Sequence, residues 1–161
     1  MFTTHALRRS SVAGLAALVL GGLALTACGD YVPPASDAKV SRIAYGQTDP
    51  ANAPGQTLYL HQVTIPAGVA LPKHHHEGTQ VATIQAGDLT YHVEENTVTV
   101  NHADGTSEQV SAPAVIVLHP GDGLVEPEDM VHWAENKGTV PVVILLTSLL
   151  TKDAPLSTPV D

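Results

Sequence analysis

Hydrophobic and polar positions alternate over short distances along most of this chain. From Val40 onward, short runs rich in Val, Thr, Ile and Tyr are separated by Gly, Pro, Asn and Asp at close spacing. This pattern is typical of short β-strands separated by turns, and no stretch has the period of a convincing amphipathic helix. The pattern predicts nine strands: Val40–Tyr45, Thr57–Ile65, Gln80–Gln85, Leu89–Glu94, Thr97–Asn101, Glu108–Ser111, Ala114–His119, Val131–Glu135 and Val140–Ser148. An all-β sandwich or small barrel is the expected fold.

Two of the predicted connections carry hairpin signals. Glu95-Asn96 separates two strands, and Ala103-Asp104-Gly105 separates the next two. The second signal is the stronger one, because Asp-Gly suits a tight turn between antiparallel strands. Lys152–Asp161 contains two Pro and no periodicity, so a loose tail is expected after the last strand.

The N-terminus has the features of an export signal. Arg8-Arg9 precedes an apolar run from Val12 to Ala27, which is shorter than the about 20 residues of a spanning helix. The run ends Leu25-Thr26-Ala27-Cys28 and resembles the bacterial lipobox, which implies lipidation of Cys28 and a membrane-anchored, extracytoplasmic protein. The expected organisation is a signal peptide over 1–27, a lipidated Cys and tether over 28–39, a barrel over 40–151 and a tail over 152–161. An ordinary signal peptide remains an alternative, and both the Sec and twin-arginine export routes stay open.

The charge of the chain narrows the classes of partner. The 161 residues hold 7 Lys or Arg and 16 Asp or Glu, a formal charge of −9, and removal of residues 1–27 would leave −11. This acidic balance argues against nucleic acid, whose phosphates require a basic surface. Membrane contact should therefore come from the lipid on Cys28 rather than from a basic patch. The single Cys also excludes an internal disulfide and a Cys-rich zinc site.

The chain holds nine His, more than its Lys and Arg together, and three of these stand in a row at His74-His75-His76. On an extended strand, His74 and His76 share one face, and Gln80, Ala82 and Ile84 continue the same parity. Two imidazoles at this spacing can chelate a divalent metal, which then needs further ligands from elsewhere in the chain. His132 opens a later predicted strand and would be an inward-facing third imidazole.

These residues resemble the two motifs of the cupins, G-x5-H-x-H-x3,4-E-x6-G and G-x5-P-x-G-x2-H-x3-N. Eight of the ten defining positions match: Gly68, His74, His76, Gly87, Gly121, Pro127, His132 and Asn136. The exceptions are Gln80 in place of Glu and Asp129 in place of Gly. The resemblance implies a single jelly-roll β-barrel that holds a metal inside through His74, His76, Gln80 and His132.

Gln80 is the departure that matters for the chemistry. An amide in place of a carboxylate leaves the charge of a divalent metal uncompensated by the predicted ligands, which should raise its Lewis acidity. Three imidazoles favour Fe, Ni, Zn or Cu over Mn. Gln80 could instead hydrogen-bond to a ligand without binding the metal itself. Asp129 is the milder departure, since Asp tolerates a positive φ better than most residues.

Two functions are compatible with these motifs. The first is a metal-dependent enzyme that acts on a small molecule, with oxygenation ahead of isomerisation or hydrolysis. The second is a non-catalytic module that binds a metal or small ligand at the membrane surface. The fold would not separate them, because cupins host many functions. The family also suggests a homodimer as a possible assembly.

The other polar and aromatic candidates carry weaker signals. The residues expected at the surface or in ordinary packing are His61, His75, Glu77, His92, His102, His119, Tyr91 and Trp133. Glu126 and Glu128 should lie near the rim of the barrel, where a general base could act.

Overall fold

The computed structural model describes residues 38–161, and within this range the regular secondary structure consists of strands. The twelve strands are β1 Ser41–Thr48, β2 Gln56–Ile65, β3 Ala70–His75, β4 Gly78–Ala86, β5 Leu89–Val93, β6 Thr97–Asn101, β7 Ser107–Ser111, β8 Ala114–Leu118, β9 Gly123–Glu126, β10 His132–Glu135, β11 Val142–Thr151 and β12 Thr158–Pro159. The described part of the chain contains no helix capable of crossing a membrane. The predicted signal peptide and Cys28 lie outside the described residues.

The strands form two antiparallel sheets. The larger sheet has the order β1-β2-β11-β4-β9-β6-β7, and the smaller sheet has the order β12-β3-β10-β5-β8. Strands that are neighbours in a sheet are mostly distant in sequence, as when β11 lies between β2 and β4. The inner faces of the sheets enclose one hydrophobic core, so the expected all-β jelly-roll barrel is confirmed.

The alternation along β4 shows how the sequence chooses the inner face. Ala82 and Ile84 are 5% and 1% exposed, whereas Val81, which directly precedes Ala82, is 51% exposed. A strand places successive side chains on opposite faces, so this one strand supplies both core and surface. The inward parity predicted for Ala82 and Ile84 is confirmed.

All nine predicted strands occur, β6 with the predicted bounds and the other eight with somewhat different ones, and three further strands were not predicted. β3 contains Pro72, Lys73 and two His, so it lacks the apolar alternation that marks a strand. β9 and β12 have only four and two residues. The hairpin at Ala103-Asp104-Gly105 is confirmed by the pairing of β6 with β7. The hairpin at Glu95-Asn96 was wrong, because β5 and β6 belong to different sheets.

The C-terminal segment differs from the loose tail that its composition predicts. β12 pairs with β3, so that Pro159 stands opposite His74, and the Val160 amide donates to the Lys73 carbonyl. Backbone pairing with an exposed strand edge requires no hydrophobic periodicity, which explains why the pattern gave no sign of it. This segment thereby closes the barrel beside the histidines.

Two motif positions have backbone conformations that account for their residue types. Gly87 has a φ of +71°, and a Cβ there would lie 2.7 Å from the Pro141 carbonyl oxygen. Asp129 has a φ of 57°, which agrees with the tolerance expected when Asp replaces Gly. The turns at Gly87 and Asp129 therefore both have the positive φ that Gly tolerates at these motif positions.

Candidate metal centre

Three buried histidines converge inside the barrel. His74 on β3 stands directly opposite His132 on β10, and His76 follows the end of β3. One nitrogen of each ring lies within 4.8 Å of the corresponding nitrogen of the other two. The three side chains are 4–8% exposed, whereas His75 between them points outward and contacts Asp129. The structure thus brings together the three histidines that the sequence predicts as metal ligands.

Each of the three rings is held at its Nδ1 atom by a backbone carbonyl. The pairs are His74 with Pro72 at 2.7 Å, His76 with Leu156 at 2.6 Å and His132 with Met130 at 3.1 Å. A carbonyl can only accept a hydrogen bond, so each Nδ1 carries the proton and each Nε2 keeps its lone pair. Fixing the tautomer in this way orients an imidazole for metal binding.

The Nε2 atom of His76 is buried and has no hydrogen-bond partner. A buried polar atom without a partner costs free energy, so it points to a group that is bound there. A divalent metal satisfies this lone pair and matches imidazole as a ligand. The donor set therefore fits a divalent metal.

The carboxylate that the sequence motif lacks comes from the neighbouring strand. Glu126 on β9 stands directly opposite Gln80 on β4. Its Oε1 lies 3.5 Å from Nε2 of His132, and its Oε2 lies 3.7 Å from Nε2 of His76. Glu126 is only 4% exposed, and a carboxylate is rarely buried to this extent unless it is paired. The centre consequently contains a negative charge that the motif alone does not predict.

Gln80 lies beside the histidines but is engaged with protein groups through both atoms of its amide. Its Nε2 donates to Oε2 of Glu126 at 2.9 Å, and its Oε1 accepts from the Ser148 hydroxyl at 2.5 Å. Direct ligation by Gln80 would require these bonds to be exchanged, and it stays a prediction. In the described geometry Gln80 orients Glu126.

Tyr91, which was expected to be a surface or packing residue, is a member of the site. Its hydroxyl donates to Oε1 of Glu126 at 2.7 Å, and its ring stacks on His132 with centroids 5.3 Å apart. Burial raises the pKa of Tyr91 well above its ordinary value, and the Glu126 charge adds to this effect. Tyr91 therefore remains a neutral hydrogen-bond donor.

The surroundings lower the pKa of two of the imidazoles and the pKa of the carboxylate. Burial lowers the pKa of His76 to about 4 and also lowers the pKa of His74. Burial alone would raise the pKa of Glu126, but His132, His76 and the bonds from Tyr91 and Gln80 hold it below its ordinary value. Neutral imidazoles and an ionised carboxylate are the forms that bind a metal.

A cavity opens beside the histidines. Most of its wall is apolar, and the apolar residues are Val63, Leu71, Ala82, Leu89, Leu124, Ala134, Ile144, Leu146 and Leu156. Two further polar side chains, Arg42 and His61, line it from the larger sheet. An apolar wall with a few convergent polar groups is the usual lining of a site for a small molecule.

Comparison with known proteins places the fold. No family model and no curated protein matches the sequence. Among solved structures, a cupin superfamily protein from Desulfitobacterium hafniense is 17% identical over 72% of this chain and 82% of its own, with a TM-score of 0.51. The barrel has the cupin fold.

Two enzymes are also among the structures similar to this one. The DMSP lyase DddQ from Ruegeria pomeroyi is 20% identical over 63% of this chain and 42% of its own, with a TM-score of 0.49. An oxalate oxidase in complex with the substrate analogue glycolate is 18% identical over 84% and 61%, with a TM-score of 0.47. This chain therefore spans less than two thirds of either enzyme, and their activities are not inferred for it from this similarity.

Proposed function

We propose that this protein is a metal-dependent enzyme that acts on a small organic molecule inside the barrel, with oxygenation as the first reaction to test. The observation that carries the proposal is the convergence of three imidazoles whose Nδ1 atoms are all fixed and whose Nε2 atoms face one cavity. His74, His76 and His132 would hold the metal, and Glu126 lies close enough to the cluster to join them.

The groups of this chain have distinct parts in the proposed mechanism. A bound divalent metal supplies Lewis acidity and redox chemistry to a substrate in the cavity. Glu126 would offset one positive charge of the metal. Gln80 and Tyr91 fix the orientation of the Glu126 carboxylate by donating to its two oxygens. The apolar wall excludes water from the reacting groups, which strengthens every electrostatic interaction there.

The identity of the metal is part of the proposal. Three imidazoles favour Fe, Ni, Zn or Cu. The sequence argument against Mn rested on the absence of a carboxylate, and Glu126 removes that reason because carboxylates suit Mn. Elemental analysis of the purified chain decides among these metals.

The test of the function combines metal content with turnover. We expect a stoichiometric transition metal in the purified protein, together with O2 uptake in the presence of phenolic or thiol substrates. His132→Ala should abolish both, whereas the matched variant His102→Ala on the outer surface should retain them. Stoichiometric metal without turnover of any substrate would instead support the non-catalytic binding module. A metal-free protein that keeps its melting temperature in His74→Ala would contradict both functions.

We also propose that the chain is exported and anchored through a lipid on Cys28. The support is the lipobox-like sequence Leu25-Thr26-Ala27-Cys28 after an apolar run. Labelling with a radioactive fatty acid should mark the wild-type chain and should not mark Cys28→Ser. An unlabelled wild-type chain in the culture medium would indicate an ordinary signal peptide. The homodimer stays a prediction that light scattering of the purified chain can test.

A further inference from the structure

The cavity has a polar wall that the metal centre does not use. Arg42 and His61 lie on β1 and β2, in the larger sheet, whereas the three metal-binding histidines belong to β3, β10 and the turn after β3. In the β1–β2 ladder, Arg42 pairs with Val63 and Ala44 pairs with His61. Residues directly opposite each other on antiparallel strands share a face. Val63 and His61 are buried and line the cavity, so this register also directs Arg42 to the inner side of β1.

Arg42 is a cation with no side-chain partner in the described part of the chain. Its guanidinium makes no ion pair or hydrogen bond with any side chain between residues 38 and 161. By contrast, Lys73, Lys137 and Lys152 are each paired with a carboxylate. Arg42 is also the one permanently charged cation in the cavity wall. An unpaired guanidinium at the edge of an apolar cavity, in so acidic a protein, is available for an anion from solution.

His61 provides a second and independent sign of a ligand. The side chain is 6% exposed, and its buried Nδ1 has no hydrogen-bond partner. Burial, with a smaller contribution from Arg42, lowers the pKa of His61, so its ring is neutral at physiological pH. A neutral imidazole has one N–H donor, which can be presented to an oxyanion. Apart from the three metal-binding histidines, it is the buried histidine of the cavity wall.

We propose that Arg42 and His61 form an anion subsite, and that the substrate is a small organic carboxylate with an apolar body. The carboxylate would lie between the guanidinium and the imidazole, because planar guanidinium groups bind carboxylates with two parallel hydrogen bonds. The apolar body would fill the aliphatic wall, and the opposite end would face His74, His76 and His132. The orientation of the substrate toward the three histidines rests on the proposed function. Binding of its carboxylate at the anion subsite requires no metal.

The test measures binding of matched acids and amides to the full-length chain by calorimetry. The probes are hexanoate with hexanamide and 3-phenylpropionate with 3-phenylpropionamide, each added to metal-free and to zinc-loaded protein. Hydrogen bonds to a charged group predict a preference of about 10–100-fold for each acid over its amide. Arg42→Gln should reduce this preference to about twofold or less, and Arg42→Lys should retain part of it. His61→Phe should weaken binding of the acids more than binding of the amides.

The controls separate this subsite from the metal centre and from loss of the fold. Lys73→Gln removes a cation that is paired with Glu94 outside the cavity, and it should leave the preference unchanged. The circular dichroism and melting temperature of Arg42→Gln should match the wild type, because the side chain is exposed and has no side-chain partner among residues 38–161.

Three results would overturn the inference: a preference that survives Arg42→Gln, a preference present only with zinc, or no binding of either acid at millimolar concentration. If the purified chain contains no metal but the Arg42-dependent preference persists, the proposed function fails while the subsite stands. If the purified chain contains a stoichiometric metal but the preference is independent of Arg42, the subsite fails while the proposed metal centre stands.

Discussion

The histidines inside the barrel and those on its outer surface are held by different partners. Inside, the three clustered rings bond to backbone carbonyls, and two of them, His76 and His132, lie beside one carboxylate, Glu126. Outside, each ring has a carboxylate of its own, in the pairs His75–Asp129, His92–Glu135, His102–Glu108 and His119–Asp88 at 2.9–3.1 Å. For one outer ring, His119, the hydrogen bond with Asp88 raises the pKa and so favours the protonated form. The inner rings direct their Nε2 lone pairs toward one another, with Glu126 beside two of them, and this arrangement suits a bound cation.

The largest expected effect is the loss of an inner ring. We expect His74→Ala to weaken metal affinity by more than about 100-fold, because even the loss of a group that only orients a ligand costs about 10–100-fold. His102→Ala, which removes an outer ring, should leave affinity within about twofold of the wild type. Competition with a chromophoric chelator measures both values. Equal losses in the two variants would show that the inner cluster is not the metal site.

The next effect concerns Glu126, the carboxylate beside His76 and His132. Glu126→Gln should weaken metal binding by about 10–100-fold. The double variant Gln80→Glu with Glu126→Gln should recover much of this loss, because the two positions are directly opposite each other and the charge returns to the centre. Glu135→Gln on the outer surface is the matched control and should leave affinity unchanged. Failure of the double variant to bind better than Glu126→Gln would show that the position of the charge, and not only its presence, decides affinity.

The response to pH should also separate the two groups of histidines. The pKa of His76 is lowered from 6.5 to about 4 in the folded chain, so the unfolded chain binds the proton first as the pH falls. The contribution of His76 to the stability of the metal-free protein is therefore complete above about pH 6.5 and decreases as the pH falls toward about 4. Urea midpoints of the metal-free protein should decrease over this window.

Metal release checks the same assignment by a second measurement. The ligands must be neutral to bind, so the midpoint of release should lie below 6.5 and nearer to the lowered pKa of His76. Release that is complete at pH 6.5 would show that the imidazoles are less shielded from solvent than their burial indicates. Half-release near pH 5 would support the buried cluster.

The sequence predicted the inner rings because their spacing follows simple backbone geometry. Residues two apart on a strand share a face, so His74 and His76 could be assigned to one side before any fold was known. The spacing of His132 and Asn136 within the second motif was equally informative. The Asn136 amide donates to the backbone carbonyls of Ile65 and Val140, and this positions the turn after β10.

The partners of these rings could not be predicted, because they depend on pairing between distant segments. Glu126 reaches the centre because β9 pairs with β4. β9 has only four residues, and its sequence pattern did not predict a strand. The carbonyl that fixes His76 belongs to Leu156, 80 residues later, in a segment whose composition suggested a loose tail. A backbone carbonyl carries no sequence signature at all. For the same reason His61 is indistinguishable from the surface histidines until the β1–β2 register is known.

The smallest effect is expected for an outer pair. The hydrogen bond from Asp88 raises the pKa of His119, and both groups are exposed. The raised pKa means that this pair contributes stability below the ordinary histidine pKa and loses it as the pH rises through the higher folded value. Solvent screening makes that contribution small. In Asp88→Asn, NMR titration should show the pKa of His119 falling toward its ordinary value, with metal affinity and melting temperature unchanged. A change in metal affinity would break the comparison, because it would mean that an outer carboxylate influences a cluster whose charge balance the structure assigns to Glu126 alone.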